Sequence, residues 1–99
     1  MKPIERFKKT NTEDNLWMYL LSLAKDREVI SADASRLVFE QFGFLPGRIL
    51  AATVLFRLQR QGFVSAEKYQ GKKAFKTTKA GLEQLGLMKQ FSQVLIDKI

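Results

Sequence analysis

The chain has 99 residues, 45% of them hydrophobic, and a formal net charge of +7, with no cysteine and no histidine. This length and apolar content predict one globular domain, residues 1–99, and the missing thiols and imidazoles exclude disulfides, thiolate or imidazole metal sites and a histidine general base. No apolar run approaches the roughly 20 residues of a membrane span, and the polar N-terminus lacks the apolar core of a signal peptide, so we expect a soluble cytoplasmic protein.

The N-terminal segment, residues 1–11, is polar, and we predict that it forms a flexible basic arm. Its basic side chains are Lys2, Arg6, Lys8 and Lys9. The first predicted helix follows, with Thr12 as its N-cap and acidic residues in its first turn, where the helix dipole favours negative charge. From Leu16 to Ala24 this helix is apolar or aromatic almost all round. That pattern is typical of burial on several sides, so we expect a central helix, partly covered by a second subunit.

Two further helices are predicted before the chain changes character. The second has Ser31 as its N-cap and ends at Gly43, and its predicted buried stripe is Leu37, Val38, Phe39 and Phe42. The third helix is predicted from Pro46, since proline is favoured in the first turn of a helix, to about Gln61, with Gly62 as its stop. The tight link between these two helices is typical of a helix-turn-helix.

After Gly62 the hydrophobic period changes from 3.6 to 2, which indicates strands. Residues 63–69 and 73–77 are predicted to pair as a hairpin around a turn at residues 70–72, where Gly71 permits a positive φ. Thr78 is the predicted N-cap of a long last helix that reaches about Lys98. The fold class is therefore mainly α with a small β-hairpin: helix, helix, helix, hairpin wing and long C-terminal helix, the winged helix-turn-helix arrangement.

The whole net charge lies in one third of the chain. Residues 46–79 hold a single acid, Glu67, and eight basic side chains, whereas the other residues hold nine of each sign. The eight are Arg48, Arg57, Arg60, Lys68, Lys72, Lys73, Lys76 and Lys79. Concentration of charge on a helix and hairpin indicates a footprint for a polyanion, and nucleic acid is the interpretation that we favour. A solvated charged face is the alternative.

Two stretches resemble PadR-like and MarR-like winged-helix regulators. Residues 55–64, Leu-Phe-Arg-Leu-Gln-Arg-Gln-Gly-Phe-Val, resemble the end of their recognition helix, although Phe56 departs from a polar position. Residues 73–81, Lys-Ala-Phe-Lys-Thr-Thr-Lys-Ala-Gly, resemble the return strand of the wing and the threonine-x-x-glycine that opens the last helix. The resemblance implies a transcriptional regulator that binds double-stranded DNA as a homodimer, with the third helix in the major groove.

The candidate DNA-binding residues lie on the third helix and the wing. On a helical wheel the core face of the helix holds Leu50, Ala51, Val54, Leu55 and Leu58, and around the rest lie Arg48, Thr53, Arg57 and Arg60. Arg57 suits a guanine or a phosphate, and Thr53 suits a base edge or a thymine methyl, although these side chains also fit a merely solvated face. The wing would supply sequence-independent phosphate contacts through Lys68, Lys72, Lys73 and Lys76. The basic arm would lie along the DNA or stay free.

Ile49 and Phe56 disagree with a simple DNA-reading face. They lie seven residues apart on the exposed side of the third helix, where polar donors are usual. Phe56 packs against the wing or the first helix, or else the pair marks a contact with another protein. The second possibility gives the alternative function, a winged-helix protein–protein interaction module of a transcription or replication assembly.

The last helix, residues 79–99, carries apolar side chains along its whole length. Twenty helical residues span about 30 Å, whereas a globule of this size has a radius of gyration of about 13 Å. We therefore expect the distal half to extend beyond the winged-helix core, residues 12–78, and to pair with the same helix of a second copy. The predicted dimer interface is Trp17, Met88, Phe91, Leu95 and Ile99. Packing back onto the first helix of the same chain is the alternative.

The sequence gives no support for catalysis. Six of its carboxylates show no spacing that suits an acid–base pair: Glu5, Asp14, Asp33, Glu40, Glu67 and Glu83. It also has no glycine-rich phosphate loop and no cluster of metal ligands. We predict that the protein is not an enzyme and needs no cofactor or metal.

Overall fold

The computed structural model describes residues 1–99 as five helices and a three-stranded antiparallel sheet. The helices are α1 (Pro3–Thr10), α2 (Leu16–Leu23), α3 (Ala34–Phe42), α4 (Arg48–Arg60) and α5 (Lys79–Lys98). The strands are β1 (Val29–Ile30), β2 (Val64–Tyr69) and β3 (Lys72–Thr77), in the order β1-β3-β2. None of the helices has the length and hydropathy needed to cross a membrane.

The core is built around α2, which confirms the prediction of a central helix. Leu16, Leu20 and Leu21 are almost completely inaccessible to solvent, and the buried side chains of every other element except α1 belong to the same cluster. Those residues are Val29, Ala34, Val38, Ala51, Leu55, Leu58, Val64, Phe75 and Leu85. A helix that is apolar on all sides is stable in water only when several elements cover it, and here α3, α4, α5 and the sheet do so.

The segment predicted as a flexible arm is helical, so that prediction was wrong. Pro3 occupies the start of α1 and Glu5 lies in its first turn, and both features favour a helix N-terminus. None of its residues is buried, and Ile4 and Phe7 expose more than half of their surface. The helix contributes no residue to the core although it is amphipathic, and the spacing of Ile4 and Phe7 on one face was the signal in the sequence.

A tyrosine connects the end of α1 to the central helix. The hydroxyl of Tyr19, on α2, donates a hydrogen bond to the main-chain carbonyl of Asn11, which follows α1. Its ring packs edge-on against Phe42 and Phe44, with 4.9 Å between ring centroids in each case. Burial raises the pKa of the Tyr19 phenol above its ordinary value of 10.0. The hydroxyl therefore keeps its proton and remains a donor throughout the physiological range.

Two predicted N-caps do not act as caps. The Thr12 hydroxyl lies 2.8 Å from the carbonyl oxygen of Lys8 and 3.2 Å from that of Lys9, so it donates to the end of α1. Ser31 makes no capping hydrogen bond. A turn of 3-10 helix, residues 13–15, lies between Thr12 and α2, and Ser31 is itself the first residue of a 3-10 turn, residues 31–33, that precedes α3. Each α-helix therefore starts later than predicted, at Leu16 and at Ala34. The unpaired amides of the first turn then belong to a 3-10 turn, in which they are spaced differently from those of an α-helix.

Smaller differences concern α3 and α4. Phe39 was predicted to be buried but is 52% exposed, because the buried side of α3 is narrower and centres on Ala34, Ser35 and Val38. Pro46 is buried and does not begin α4, which starts two residues later at Arg48. Gly43 has a φ of +87° and ends α3 in the left-handed conformation that the sequence predicted.

The hairpin is confirmed, and the sheet contains one strand that was not predicted. Between β2 and β3, Gln70 and Gly71 both have positive φ, of 53° and 76°. Two-residue hairpin turns of this kind match the twist of the flanking strands. The additional strand β1 pairs with β3, with Val29 opposite Phe75. It has only two residues and is too short to show a period.

The end of β3 is attached to the central helix. The hydroxyl of Thr77 is buried and donates a 2.7 Å hydrogen bond to the carbonyl of Leu21. The amide of the same residue donates to the carbonyl of Ala24 at 3.0 Å. Both carbonyls lie at the end of α2, where helical partners run out. One threonine thus satisfies two orphan acceptors and fixes the wing to the core.

The next residues join the wing, the end of α4 and the start of α5. The Thr78 hydroxyl donates to the carbonyl of Gly62 at 2.7 Å and accepts from the amide of Gly81 at 3.2 Å, which confirms Thr78 as the N-cap of α5. Gly81 packs so closely that a Cβ atom there would lie 2.3 Å from the carbonyl oxygen of Phe63. No side chain fits, because main chain cannot move aside as a flexible side chain can.

Two glycines of α5 should therefore respond in opposite directions to the same substitution. Gly81→Ala is expected to lower the free energy of unfolding by about 1–3 kcal/mol through overpacking. Gly86→Ala is expected to raise it by up to about 1 kcal/mol, because a Cβ there meets no atom within 4 Å and alanine has the better helix propensity. Urea denaturation monitored by circular dichroism measures both values. A neutral or stabilising Gly81→Ala would contradict the close approach.

Candidate nucleic-acid interface

Helix α4 has a buried side and a solvent side, as predicted. Ala51, Leu55 and Leu58 face the core, whereas all four predicted polar residues are exposed: Arg48, Thr53, Arg57 and Arg60. Leu50, predicted to be core, lies at the margin and is 37% exposed. The solvent side of α4 thus carries its charges at the surface. The sequence placed the core face correctly apart from this one residue.

Four residues form a stripe along the outer side of α4, which we call the outer stripe: Ile49, Thr53, Phe56 and Arg60. Spacings of four, three and four residues place side chains one above another on a single helical face. Ile49 is 84% exposed and Phe56 is 53% exposed, so neither side chain belongs to the core. The stripe combines two hydrophobic groups, a hydroxyl and a guanidinium.

Phe56 contacts the wing, which was one of the two alternatives that the sequence left open. The Lys73 ammonium, from β3, lies 5.8 Å from the centroid of its ring, and the Arg60 guanidinium lies 5.9 Å from the same centroid. Lys73 is also 5.4 Å from the ring of Phe75. Cations within about 6 Å of an aromatic face are attracted to it. Phe56 therefore holds two cations beside itself, one from α4 and one from the wing.

The four wing lysines are all exposed but divide between the two faces of the hairpin. Lys68 lies directly opposite Lys73, whereas Lys72 lies opposite Tyr69 and Lys76 opposite Ser65. Cross-strand partners share a face, and successive residues of a strand lie on opposite faces. The Lys68–Lys73 pair is thus on the face of Phe75, toward α4, and Lys72 and Lys76 are on the other face. The sequence predicted the lysines but not this division.

The positive charge of this region is not neutralised within the chain. The structure contains two salt bridges, and both join Arg36, on α3, to Asp33 and Glu40. None of the eight basic side chains of residues 46–79 has a carboxylate within 4.0 Å. Two lysines directly opposite each other repel, at a cost of a few tenths of a kcal/mol up to about 1 kcal/mol. An anionic ligand would remove that repulsion.

Behind α4 lies a cleft of about 470 Å³ whose walls come from α2 and the turn before it, α4 and the chain that leaves it, and α5. Trp17, Val54 and Phe63 line it, and Arg57 and Glu13 also contribute to its lining. Trp17, a predicted dimer residue, is thus partly buried against the core rather than free on the surface. No group of three potential metal ligands lies together anywhere in residues 1–99.

The distal half of α5 extends beyond the core, as the sequence predicted. The buried residues of α5 are Gly81 and Leu85 alone, and the longest dimension of the molecule is 47 Å against 28 and 21 Å for the others. Beyond Met88, which packs partly on the core, lies what we call the α5 apolar surface: Phe91, Val94, Leu95, Ile96 and Ile99, all exposed. The alternative, packing of this half onto the first predicted helix, is wrong.

Comparison with known proteins identifies the fold. The crystal structure of a PadR family transcription regulator from hypervirulent Clostridium difficile is similar with a TM-score of 0.71 and 16% sequence identity, over 83% of this chain and 91% of that one. The structure of a PadR-like transcription factor from Bacteroides fragilis is similar with a TM-score of 0.75 and 17% identity, over 94% of each chain. No family model and no curated protein matches the sequence. The chain has the winged-helix fold.

Proposed function

We propose that the protein is a transcriptional regulator that binds double-stranded DNA as a homodimer. The observation that carries the proposal is the exposed, unpaired positive charge that α4 shares with the adjacent wing. A structural role would pair at least some of these groups with carboxylates, because repulsion among them destabilises the fold. The two similar solved structures described above are both transcription regulators, which supports the same conclusion.

In the proposed complex α4 lies in the major groove, which has the width to admit an α-helix. Arg57 and Thr53 face base edges, and Arg48 and Arg60 lie toward the two ends of the helix. The wing lies against the phosphate backbone beside that groove. Because Lys68 and Lys73 are on the face toward α4, we assign them the main phosphate contacts, with Lys72 and Lys76 in a lesser role.

The dimer is held by the α5 apolar surface. Full burial of one large apolar side chain contributes about 1.5–3 kcal/mol. Phe91 and Ile99 are 71% and 95% exposed in the single chain, so a second copy has nearly all of that energy to gain from them. The mostly buried Met88 and Trp17 would contribute only at the margin of this interface. Two copies would present two α4 helices to successive major grooves, about one helical turn apart.

One observation favours the alternative function, a protein-interaction module. Ile49 exposes 84% of its surface on the outer stripe, more than any other hydrophobic side chain of α4. An exposed hydrophobic side chain on a helix face suits a protein partner as well as a nucleic acid. Binding to duplex DNA distinguishes the two functions.

The logarithm of the affinity for random duplex DNA should fall linearly with the logarithm of the salt concentration. Its slope should correspond to about four to eight phosphate contacts per dimer. Lys68→Gln combined with Lys73→Gln should weaken binding to all sequences about equally and flatten this slope, since the variant loses phosphate contacts but no base contacts. Fluorescence anisotropy of a labelled duplex over a salt series measures both quantities.

The matched control for that experiment is Lys72→Gln combined with Lys76→Gln, which removes the same charge from the opposite face of the wing. It should weaken binding less. Equal effects of the two double variants would contradict the assignment of the α4-side lysines, and no binding by the unaltered protein at low salt would contradict DNA binding altogether and favour the interaction module.

Because Lys68 and Lys73 repel each other, a substitution that removes a proposed DNA contact at Lys68 should stabilise the fold. Lys68→Gln should raise the free energy of unfolding by roughly 0.2–1 kcal/mol at low salt, because Lys73 then faces no like charge, and the gain should shrink at high salt as the repulsion is screened. Urea denaturation at two salt concentrations measures it. Lys72→Gln is the control, since its cross-strand partner is Tyr69; the same gain there would contradict repulsion between the pair.

Charge placed on the α5 apolar surface should separate the dimer. Phe91→Lys combined with Leu95→Lys is expected to give a monomer of 11.4 kDa that keeps its fold, because neither residue is buried and lysine is a good helix former. Sedimentation equilibrium and circular dichroism measure mass and fold. Gln93→Lys, about half a turn away on the helix, should leave the dimer intact. A dimer that survives the double change would place the interface elsewhere.

A further inference from the structure

The outer stripe contains more hydrophobic surface than DNA binding through charge requires. Ile49 and Phe56 are exposed by 84% and 53%, and Thr53 lies between them with a methyl group beside its hydroxyl. None of the three is needed for the core, which α4 supplies through Ala51, Leu55 and Leu58. Along the helix axis the three residues are about 6 and 4.5 Å apart at 1.5 Å per residue. They present a row of carbon atoms on the side of α4 that faces outward.

We propose, on the basis of the DNA binding proposed above, that Ile49, Thr53 and Phe56 read the 5-methyl groups of thymines in the major groove. Thymine is the only base with a hydrophobic group on that edge, and apolar side chains recognise it by direct contact. Spacings of about 6 and 4.5 Å match one to two base steps, since the bases of one strand are 3.4 Å apart. The preferred half-site therefore contains thymines one or two steps apart.

The cations beside Phe56 favour DNA over a protein as the occupant of this stripe. Arg60 and Lys73 lie 5.9 and 5.8 Å from the ring centroid, so any partner that covers the ring also covers two positive charges. A hydrophobic protein surface would bury those charges without compensation, which is costly. A duplex provides phosphates on both sides of the groove and a methyl group within it. The ring and its two cations thus complement one duplex groove.

The proposal is tested by removing only the methyl group from the DNA. Preferred duplexes are selected from a random library with the unaltered protein, and each thymine is then replaced in turn by deoxyuridine, which pairs identically. At the thymines that are read, the unaltered protein should bind about fourfold more weakly per lost methyl, the factor expected for one buried carbon group. Phe56→Ala and Ile49→Ala should each bind the thymine and uracil versions equally at one or more of these positions.

Phe39→Ala is the matched control, because Phe39 on α3 has nearly the same exposure, 52% against 53%, and lies outside the outer stripe. It should keep the full preference for thymine. Circular dichroism of each variant shows whether the fold is retained, as exposure of all three side chains predicts.

The outcomes separate this proposal from the one on which it rests. If the unaltered protein binds the selected duplex but does not distinguish thymine from uracil, methyl reading is wrong and DNA binding stands. If Phe56→Ala weakens both versions equally and preserves their ratio, Phe56 only positions Arg60 and Lys73, and the proposal is overturned for that residue. If the unaltered protein binds no duplex DNA at low salt, the proposed function itself fails.

Discussion

The contact between the first turn of α5 and the chain that leaves α4 fixes every functional part of this molecule. Gly81 packs against the carbonyl of Phe63, and the Thr78 hydroxyl joins the carbonyl of Gly62 to the amide of Gly81. The same few residues end β3, begin α5 and close the end of α4. The position of the wing relative to α4 and the direction in which α5 leaves the core therefore depend on a single close-packed junction.

Charge and hydrophobic contact oppose each other at the proposed interface. Lys68 and Lys73 repel across the hairpin, yet Lys73 lies between the rings of Phe56 and Phe75 and is attracted to both. Attraction of about 0.5–1 kcal/mol for an exposed cation and ring is of the same size as the repulsion of a like-charged pair. The wing can thus keep its charge without unfolding, and the aromatic pair holds one lysine in place before any ligand arrives.

Much of the fold followed from local sequence signals, and the failures have physical causes. Local signals span only a few residues and could be recognised in the sequence: the change of hydrophobic period at Gly62, the turn at Gly71 and the helix cap at Thr78. Strand β1 has two residues and depends on its pairing with β3, and helix α1 is short and has no residue in the core. Thr12 and Ser31 are good capping residues, but intervening 3-10 turns give the helix starts to other residues.

The sequence predicted which residues belong to the candidate site but not how they are arranged in space. Composition located the basic residues, and a helical wheel placed the arginines of α4 on its solvent side. The division of the wing lysines depends on strand register, which the two-residue turn at Gln70 and Gly71 sets, whereas the sequence predicted a longer turn and a later strand. The contact between Phe56 and Lys73 joins residues far apart in sequence, and only tertiary structure determines it.

Gly86 lies within α5 and is the position at which this helix bends most easily. A Cβ atom at this position would meet no other atom within 4 Å. The junction holds the helix on its N-terminal side, and on its C-terminal side only Met88 packs partly on the core before the exposed α5 apolar surface begins. From there to Ile99 the helix runs about 20 Å at 1.5 Å per residue. A bend of about 10° would carry the tip sideways by roughly 3.5 Å, close to the 3.4 Å rise of one base step. In the proposed dimer, a bend of this size would therefore change the distance between the two α4 helices by about one base step.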